Sequence, residues 1–343
     1  MIDIINSIFE AYDAEGWTNS EYDETNELIT KSVNNSINKF HIQCKYYMES
    51  YSKFLLICNF NWSDEKIWGV RDEFTESIIN FLQAKKISVL LNGVDVSSSC
   101  KFVFNPPVNN GYFLAFDLTK LDKRFFNTTC IMDLYIDPDI ISYIEKHKGM
   151  PTDRRKFPNY LFRYNEHILE VLELCNINSA DLTGMFHRCG NLKHVHYWEL
   201  PADVNVFNSM FQTCICLKSV PPIYINTNHV KDFRYMFANC NLERIDIKGN
   251  ISPFKVKLEG MFDRCDNLKT VPLFIDSKKV HKNPGNERIK SNLSSTMFRD
   301  CEKLDDVTKA AWEIEPVPCT TQQSQTQLVP RLDMVPFYNT LYK

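Results

Sequence analysis

One motif, Met-Phe-x-x-Cys-x-x-Leu, recurs through the C-terminal half of the sequence and limits what this chain can fold into. Its copies begin at Met185, Met210, Met236, Met261 and Met297, and the copy at Met236 is one residue short before its Leu. A near-constant period is typical of stacked repeats, in which no unit can bury its apolar face alone. The longer last step indicates an insertion, which we place in the polar segment Ser277–Ser291.

The repeated residues are predicted to form the interior of the stack. In most copies an apolar residue lies three positions before the Met, and a β-branched residue lies three positions after the Leu. This spacing predicts a short helical turn that ends at the Cys, followed by a short strand. The motif Cys is expected to pack as a small apolar residue with a free thiol. The predicted interior residues are Met185, Phe186, Cys189, Leu192, Met210, Phe211, Cys214, Leu217, Met236, Phe237, Cys240, Leu242, Met261, Phe262, Cys265, Leu268, Met297, Phe298, Cys301 and Leu304.

A degenerate copy precedes these five. Leu161-Phe162 stands where Met-Phe is expected, and Ile168 stands at the motif Leu position. Asn165 replaces the Cys. Terminal repeats are commonly atypical because they cap the stack, so this departure fits a first copy.

Two copies, Met210–Pro221 and Met261–Pro272, extend the motif to Met-Phe-x-x-Cys-x-x-Leu-x-x-Val-Pro. This pattern resembles the BspA-like leucine-rich repeats and the related repeat of Mycoplasma-type surface lipoproteins. The resemblance spans residues 161–307, under half of the chain. It implies a leucine-rich-repeat solenoid in a surface or adhesive protein that holds partners on one face of the solenoid. The sequence departs from the secreted members because it has neither a signal peptide nor a lipobox.

The first 150 residues lack the repeat and combine strand and helix patterns. A helix is predicted for Ile2–Tyr12, another from Ser63 through Phe81, and a third for Pro138–Lys148. We therefore predict an α/β fold with a mixed α/β domain at 1–150, a solenoid of five to six repeats at 151–312 and an extended arm at 313–343. The predicted strands are Phe40–Met48, Phe54–Phe60, Ile87–Asn92, Lys101–Phe104, Tyr112–Phe116 and Cys130–Ile136.

The arm is rich in Gln, Thr and Pro, a composition that disfavours a packed fold of its own. Apolar residues nevertheless recur along it. They favour an arm that docks on a neighbouring subunit or on the chain's own solenoid, and the alternative is a frayed terminus. These anchor residues are Leu328, Val329, Met334, Phe337, Tyr338 and Leu341. After the last motif, a short helix at Thr308–Trp312 is predicted to cap the solenoid.

Composition limits the class of protein. The net charge of −4 gives no electrostatic footprint for nucleic acid, and no stretch is apolar and long enough to span a bilayer. The N-terminal residues lack the basic and apolar regions of a signal peptide, so synthesis in the cytoplasm is expected. In that compartment the 12 cysteines are expected to be free thiols.

The strongest candidate for metal chemistry is the group His187, Cys189, His194 and His196, whose imidazoles and thiolate suit zinc. Cys189 occupies the interior position of the repeat, however, whereas His194 and His196 flank Val195 on the opposite face. The structural interpretation is therefore favoured. Cys214-Ile215-Cys216 lacks the Cys-x-x-Cys spacing of redox and zinc sites, and no phosphate-binding or nucleophile motif occurs. We predict no catalytic residue, no cofactor and no metal.

These observations predict a structural or protein-interaction protein that is not an enzyme. The favoured role is a bacteriophage virion component that acts in head or tail assembly or attachment. Such a protein presents a binding scaffold and reaches a particle surface without secretion. It would bind protein subunits of a larger assembly, as an oligomer or a hetero-assembly. One alternative is a BspA-like bacterial surface adhesin or cytosolic scaffold. Another is an enzyme with its active site in the N-terminal domain.

Overall fold

The computed structural model describes residues 39–60, 86–105, 111–140, 157–224, 231–249, 256–274 and 296–312. The described residues from Phe40 onward belong to one compact unit. Several predicted features lie outside the described residues: the helices at Ile2–Tyr12 and from Ser63, the insertion at Ser277–Ser291, the boundary after residue 150 and the arm at 313–343. Residues 138–140 of the third predicted helix are helical, and the rest of that helix also lies outside this range.

The described elements are thirteen strands, one α-helix and two 3-10 helices of a single turn, Ser97–Ser99 and Lys123–Phe125. The helix α1 is Asp306–Trp312, which matches the predicted capping helix after the last motif. The strands are β1 (Phe40–Met48), β2 (Phe54–Phe60), β3 (Ile87–Leu91), β4 (Val94–Asp95), β5 (Cys100–Asn105), β6 (Gly111–Asp117), β7 (Thr128–Ile136), β8 (Ile168–Cys175), β9 (His194–Val195), β10 (Ile223–Tyr224), β11 (Lys231–Asp232), β12 (Ile247–Lys248) and β13 (Val256–Lys257).

The N-terminal strands form a β-sandwich, and all six strands predicted there are present. One sheet has the order β4-β3-β7-β1-β8-β9 and the other has the order β2-β6-β5. Alternate residues of β1 are buried because a strand points successive side chains to opposite faces. The inward residue Tyr46 lies edge-on to Phe116 of β6, and its hydroxyl donates a hydrogen bond to the Leu56 carbonyl of β2. The two sheets therefore share one core.

The predicted fold class, α/β with a leucine-rich-repeat solenoid, is wrong. The described part of residues 1–150 is a β-sandwich with only single-turn helical pieces, not a mixed α/β domain. In residues 157–312 the described copies contain neither a repeated helix nor a continuous sheet with one strand from each copy. Turns occupy the motif, and the strands β9 to β13 have two residues each. We refer to the described part of residues 157–312 as the repeat stack.

Left-handed residues explain why the predicted helical turn does not form. The residue before the Met and the residue before the Cys have positive φ in successive copies, as at Gly184 (61°) and Arg188 (62°). Such residues cannot continue a right-handed helix, but they suit the third position of a turn. Met185, His187 and Cys189 accordingly each donate a hydrogen bond to the carbonyl three residues earlier. This series of turns places apolar residues three and four apart on one side, as a helix would.

The turns stack through the amides that alternate with these. Phe162, Phe186, Phe211, Phe237 and Phe262 each donate their amide to the carbonyl of the Met in the next copy, at 2.8–2.9 Å. Their rings, together with Phe298, form one column with centroids 5.3–5.8 Å apart and nearly parallel planes. Every step of the stack therefore repeats the same backbone and ring contact, which explains why Phe recurs at this position.

Candidate functional site

The structure places all twenty predicted repeat residues in the interior. The cysteines do more there than fill space. Each motif thiol donates a hydrogen bond to the carbonyl of the Phe in the preceding copy, as from Cys189 to Phe162 and from Cys214 to Phe186, both at 3.0 Å. Cys240, Cys265 and Cys301 repeat this bond at 2.9–3.1 Å.

Four of these thiols, those of Cys189, Cys240, Cys265 and Cys301, are held in their neutral form. Burial raises the pKa of Cys189, Cys240 and Cys265 well above the ordinary value, and it raises the pKa of Cys301 to about 12. A thiol is nucleophilic and ligates metals only as the thiolate. The ladder of cysteines is therefore a set of structural hydrogen-bond donors.

The first copy is joined to the sandwich by two asparagines. Asn165, fully buried at the Cys position, donates from Nδ2 to the carbonyls of Leu56 (3.2 Å) and Ile57 (2.9 Å), where β2 has a register shift. Asn59 of β2 donates its backbone amide to Leu161 and its side-chain amide to Arg163, both at 2.6 Å. The sequence has no earlier copy of the motif that could accept a hydrogen bond from the Cys position or donate hydrogen bonds to these two carbonyls. Strand β2 of the sandwich supplies both the acceptors and the donors.

The proposed zinc ligands are not brought together. Cys189 is engaged with the Phe162 carbonyl, and His187 lies beside the rings of Tyr160 and Tyr164. His194 is hydrogen-bonded to Ser219 and His196 to Glu170. Within the described residues, no group of three or more His, Cys, Asp or Glu side chains is arranged to hold a metal ion.

The outward face of the six-stranded sheet carries a polar network. Asp133 of β7 accepts hydrogen bonds from His41 (3.1 Å) and Gln43 (2.9 Å) of β1. Glu170 of β8 accepts from Lys45 (3.1 Å) and His196 (2.8 Å). Burial raises the pKa of Glu170, but these two hydrogen bonds outweigh it and the pKa is lowered. The Glu170 carboxylate is therefore ionised, and both Asp133 and Glu170 are already engaged in hydrogen bonds.

A second cluster lies on the turns of the first two copies, and we call it the guanidinium patch. It consists of Tyr160, Arg163, Tyr164, His187 and Arg188. The Tyr164 hydroxyl accepts hydrogen bonds from Arg163 Nη2 (3.1 Å) and Arg188 Nη1 (3.3 Å). The Arg163 guanidinium also lies 4.7 Å from the Tyr164 ring centroid and 5.2 Å from that of Tyr160. The two guanidinium groups thus share the hydroxyl oxygen and the ring of Tyr164.

Exposed apolar residues follow the motif in several copies. Tyr197 (52% exposed) and Leu273 (42%) both lie twelve residues after their Met, and Tyr224 (71%) lies two positions later in its own copy. Ile215 is 46% exposed within the third copy. Single exposed apolar residues are ordinary, but their recurrence on a stack of equal steps marks one stretch of each copy as available for contact.

No helix among the described residues is both long and apolar enough to cross a membrane. Comparison with protein families, with curated proteins and with solved structures gave no match. The resemblance to BspA-like repeats therefore stays a prediction that rests on the motif alone.

The sequence did not reveal two of these features as sites. Asn59 carries no repeat signal, because its role depends on β2 lying beside the first copy. The guanidinium patch could have been found by aligning the two residues between Phe and Cys across the copies, since Arg163, Tyr164, His187 and Arg188 occupy these variable positions.

Proposed function

We propose that this chain is a non-enzymatic protein-interaction protein, in which the repeat stack is a rigid scaffold for binding neighbouring protein subunits. One observation carries the proposal: every residue type that recurs in the motif is used inside the stack. The chemistry of Met, Phe, Cys and Leu is consumed by packing and by hydrogen bonds between copies. The exposed side chains are the variable ones, held in register by equal steps, which is how repeat proteins build binding surfaces.

The exposed apolar residues support contact with protein. Tyrosine is enriched at protein interfaces, since it contributes a large contact area with few rotatable bonds. Tyr224 also lies under the ammonium of Lys248, 5.6 Å from the ring centroid, so it presents a mixed apolar and charged surface. We therefore infer that the partners are proteins of a larger assembly, and a virion is the assembly we favour.

Light scattering after size-exclusion chromatography tests the proposal on the intact chain. We compare it with a chain that ends at Pro316 and with the variant Tyr197→Ser/Tyr224→Ser/Leu273→Ser. The intact chain is expected to self-associate or to bind candidate neighbours, and the surface variant is expected to lose that association. A monomer in all samples, with candidate neighbours present, would contradict the proposal.

Mass spectrometry of purified virus particles tests the virion assignment separately. Detection of the chain at a fixed ratio to the capsid protein is the expected result. Its absence from particles, together with association in light scattering, would retain the scaffold and remove the virion.

A further inference from the structure

We propose that the guanidinium patch binds the carboxylates of an acidic peptide segment in a protein partner. This inference rests on the proposed function and names the chemistry of one surface that serves it. The patch is formed by copies one and two, where the variable residues between Phe and Cys (Asn165 in copy one) are Arg163, Tyr164, His187 and Arg188.

No carboxylate in the described part of the chain compensates the positive charge of the patch. Among the described residues, no carboxylate oxygen lies within 4 Å of either guanidinium, and Arg163 Nε is buried without a hydrogen-bond partner. The field of the two arginines also reaches His187. The pKa of His187 is lowered to about 3, first by burial and then by the charges of Arg163 and Arg188. The nearest histidine therefore stays neutral and adds no charge of its own.

The other end of the same stack shows what these positions accept. In copies five and six the corresponding residues are Asp263, Arg264, Arg299 and Asp300. Arg299 donates two hydrogen bonds to Asp263, from Nε to Oδ1 (2.7 Å) and from Nη2 to Oδ2 (2.5 Å). Arg264 lies 3.8 Å from Asp300. Each arginine there has a carboxylate from the neighbouring copy, whereas the two arginines of the patch have none among the residues that the structure describes.

This internal comparison identifies the ligand as a carboxylate. The planar fork of arginine matches the two oxygens of a carboxylate, and the backbone of the stack already presents that pair in the Asp263–Arg299 geometry. Tyr160 and Tyr164 flank the cations with apolar ring surface that a peptide chain can cover. An Asp or Glu side chain of an extended segment thus supplies the carboxylate that neither arginine of the patch has among the described residues.

The test is a titration of the intact chain with the peptide (Gly-Glu)5, using (Gly-Gln)5 as the neutral match, followed by calorimetry. The variants are Arg188→Gln and Arg163→Gln. The matched control is Arg264→Gln, which removes an exposed arginine at the same motif position as Arg188. We expect the acidic peptide alone to bind, with affinity falling as salt rises. Arg188→Gln should weaken binding roughly tenfold, and Arg264→Gln should leave it unchanged.

Each other outcome removes the inference. Equal binding of the two peptides, or equal loss in Arg188→Gln and Arg264→Gln, would show that the patch does not select carboxylates. Inorganic phosphate forms a further arm: if it displaces the peptide completely at concentrations near the peptide's own, the patch is a phosphate site instead. Far-ultraviolet circular dichroism confirms that the variants are folded. A chain that associates in light scattering but ignores (Gly-Glu)5 loses this inference and keeps the proposed function.

Discussion

In the sandwich, antiparallel strands exchange hydrogen bonds in both directions, whereas in the repeat stack the amides of the turns donate in one direction only. The amides of Tyr160, Phe162 and Tyr164 all donate to carbonyls of the second copy, and each following step of the stack repeats this direction. In a strand pair such as β1 and β7, each strand therefore both donates hydrogen bonds to the other and accepts them from it. In the stack, by contrast, the carbonyl of each motif Met accepts only from the copy before it, as Met185 accepts from Phe162.

This difference means that the stack cannot begin by itself. The carbonyls of Leu161 and Arg163 face the side where an earlier copy would lie, and unpaired buried carbonyls are costly. Asn59 fills both of them, and Asn165 returns two hydrogen bonds to β2. The sandwich is thus the cap of the stack, and the two regions share one continuous hydrophobic core.

The largest expected effect comes from breaking the phenylalanine column at its middle. Phe211 is fully buried and stacks on Phe186 (5.4 Å) and Phe237 (5.7 Å). Phe211→Ala should lower the free energy of unfolding in urea by about 3–5 kcal/mol, because it leaves a cavity in two steps of the stack. Phe116→Ala, which empties the sandwich core, should cost a similar amount.

Tyr224→Ala is the surface control, because Tyr224 is 71% exposed, and its effect should lie within about 0.5 kcal/mol. If Phe211→Ala costs no more than this control, the column does not hold the stack together. In that case only the sandwich would be stabilised by buried aromatic side chains, and the expected similarity between the two cores would be contradicted.

Replacing three glycines by Ala distinguishes the cost of left-handed backbone strain from the cost of steric overlap at the new Cβ. Gly184 in the stack has φ of 61°, and a Cβ there would overlap the Tyr160 ring. Gly93 in the sandwich has φ of 77°, but a Cβ there would meet open space. Gly190 has open space around a Cβ and no positive φ. Gly184→Ala should cost about 2–4 kcal/mol, from left-handed strain and overlap together. Gly93→Ala should cost about 1–2 kcal/mol from strain alone. Gly190→Ala should be neutral in the same urea measurement.

This series tests whether the stack is more tightly constrained than the sandwich turn. Equal costs at Gly184 and Gly93 would mean that the Tyr160 ring moves aside freely. A large cost at Gly190 would contradict the assignment of strain to the left-handed positions.

The junction provides the next effect. Asn165→Ala removes both hydrogen bonds to β2 and should destabilise the protein by about 1–3 kcal/mol, since buried carbonyls lose their donor. Asn191→Ala is the matched control, because the exposed Asn191 also donates to a backbone carbonyl, that of Glu166 at 2.8 Å. It should change the free energy of unfolding by less than about 0.5 kcal/mol. Equal effects would show that the sandwich does not cap the stack.

The same contrast explains what could be predicted from the sequence. The strands of the sandwich were located because alternation along one strand, as in β1, reports directly on burial. The interior residues of the stack could be identified because the motif repeats. The backbone of the stack could not be derived, because Leu182, Met185, Phe186 and Cys189 have helical spacing, and a series of turns brings residues of that spacing together as well. Only the left-handed conformations of Gly184 and Arg188 separate the two, and Arg188 gives no sign of its conformation in the sequence.

Contacts between distant segments were not predictable either. The missing Cys indicates a terminal copy, but not its partner, since β2 lies more than a hundred residues earlier. The guanidinium patch likewise depends on which copies are neighbours, since Tyr164 bridges Arg163 and Arg188 only once two copies have stacked.

The smallest expected effect concerns pH and distinguishes the start of the stack from the rest of the molecule. Burial lowers the pKa of His167 to about 4, and burial together with the nearby arginines lowers that of His187 to about 3. Because the folded pKa lies below the unfolded value, the folded state binds fewer protons, and stability is lost as pH falls below about 6.5. Between pH 7 and pH 6 each histidine should cost roughly 0.5–1 kcal/mol.

Glu166 opposes this loss, because burial and the charge of Glu49 raise its pKa, and its protonation favours the folded state as pH falls. The variants His167→Gln and His187→Gln separate these contributions. Each should flatten the dependence of the free energy of unfolding on pH between 7 and 5, measured by urea titration at each pH, whereas the exposed-residue control Tyr224→Ala should keep the wild-type slope. If neither variant changes the slope, acid acts on the sandwich rather than on the first two copies. If His187→Gln alone flattens it, the arginines of the guanidinium patch control the acid response, and (Gly-Glu)5 should then weaken that response in the wild type.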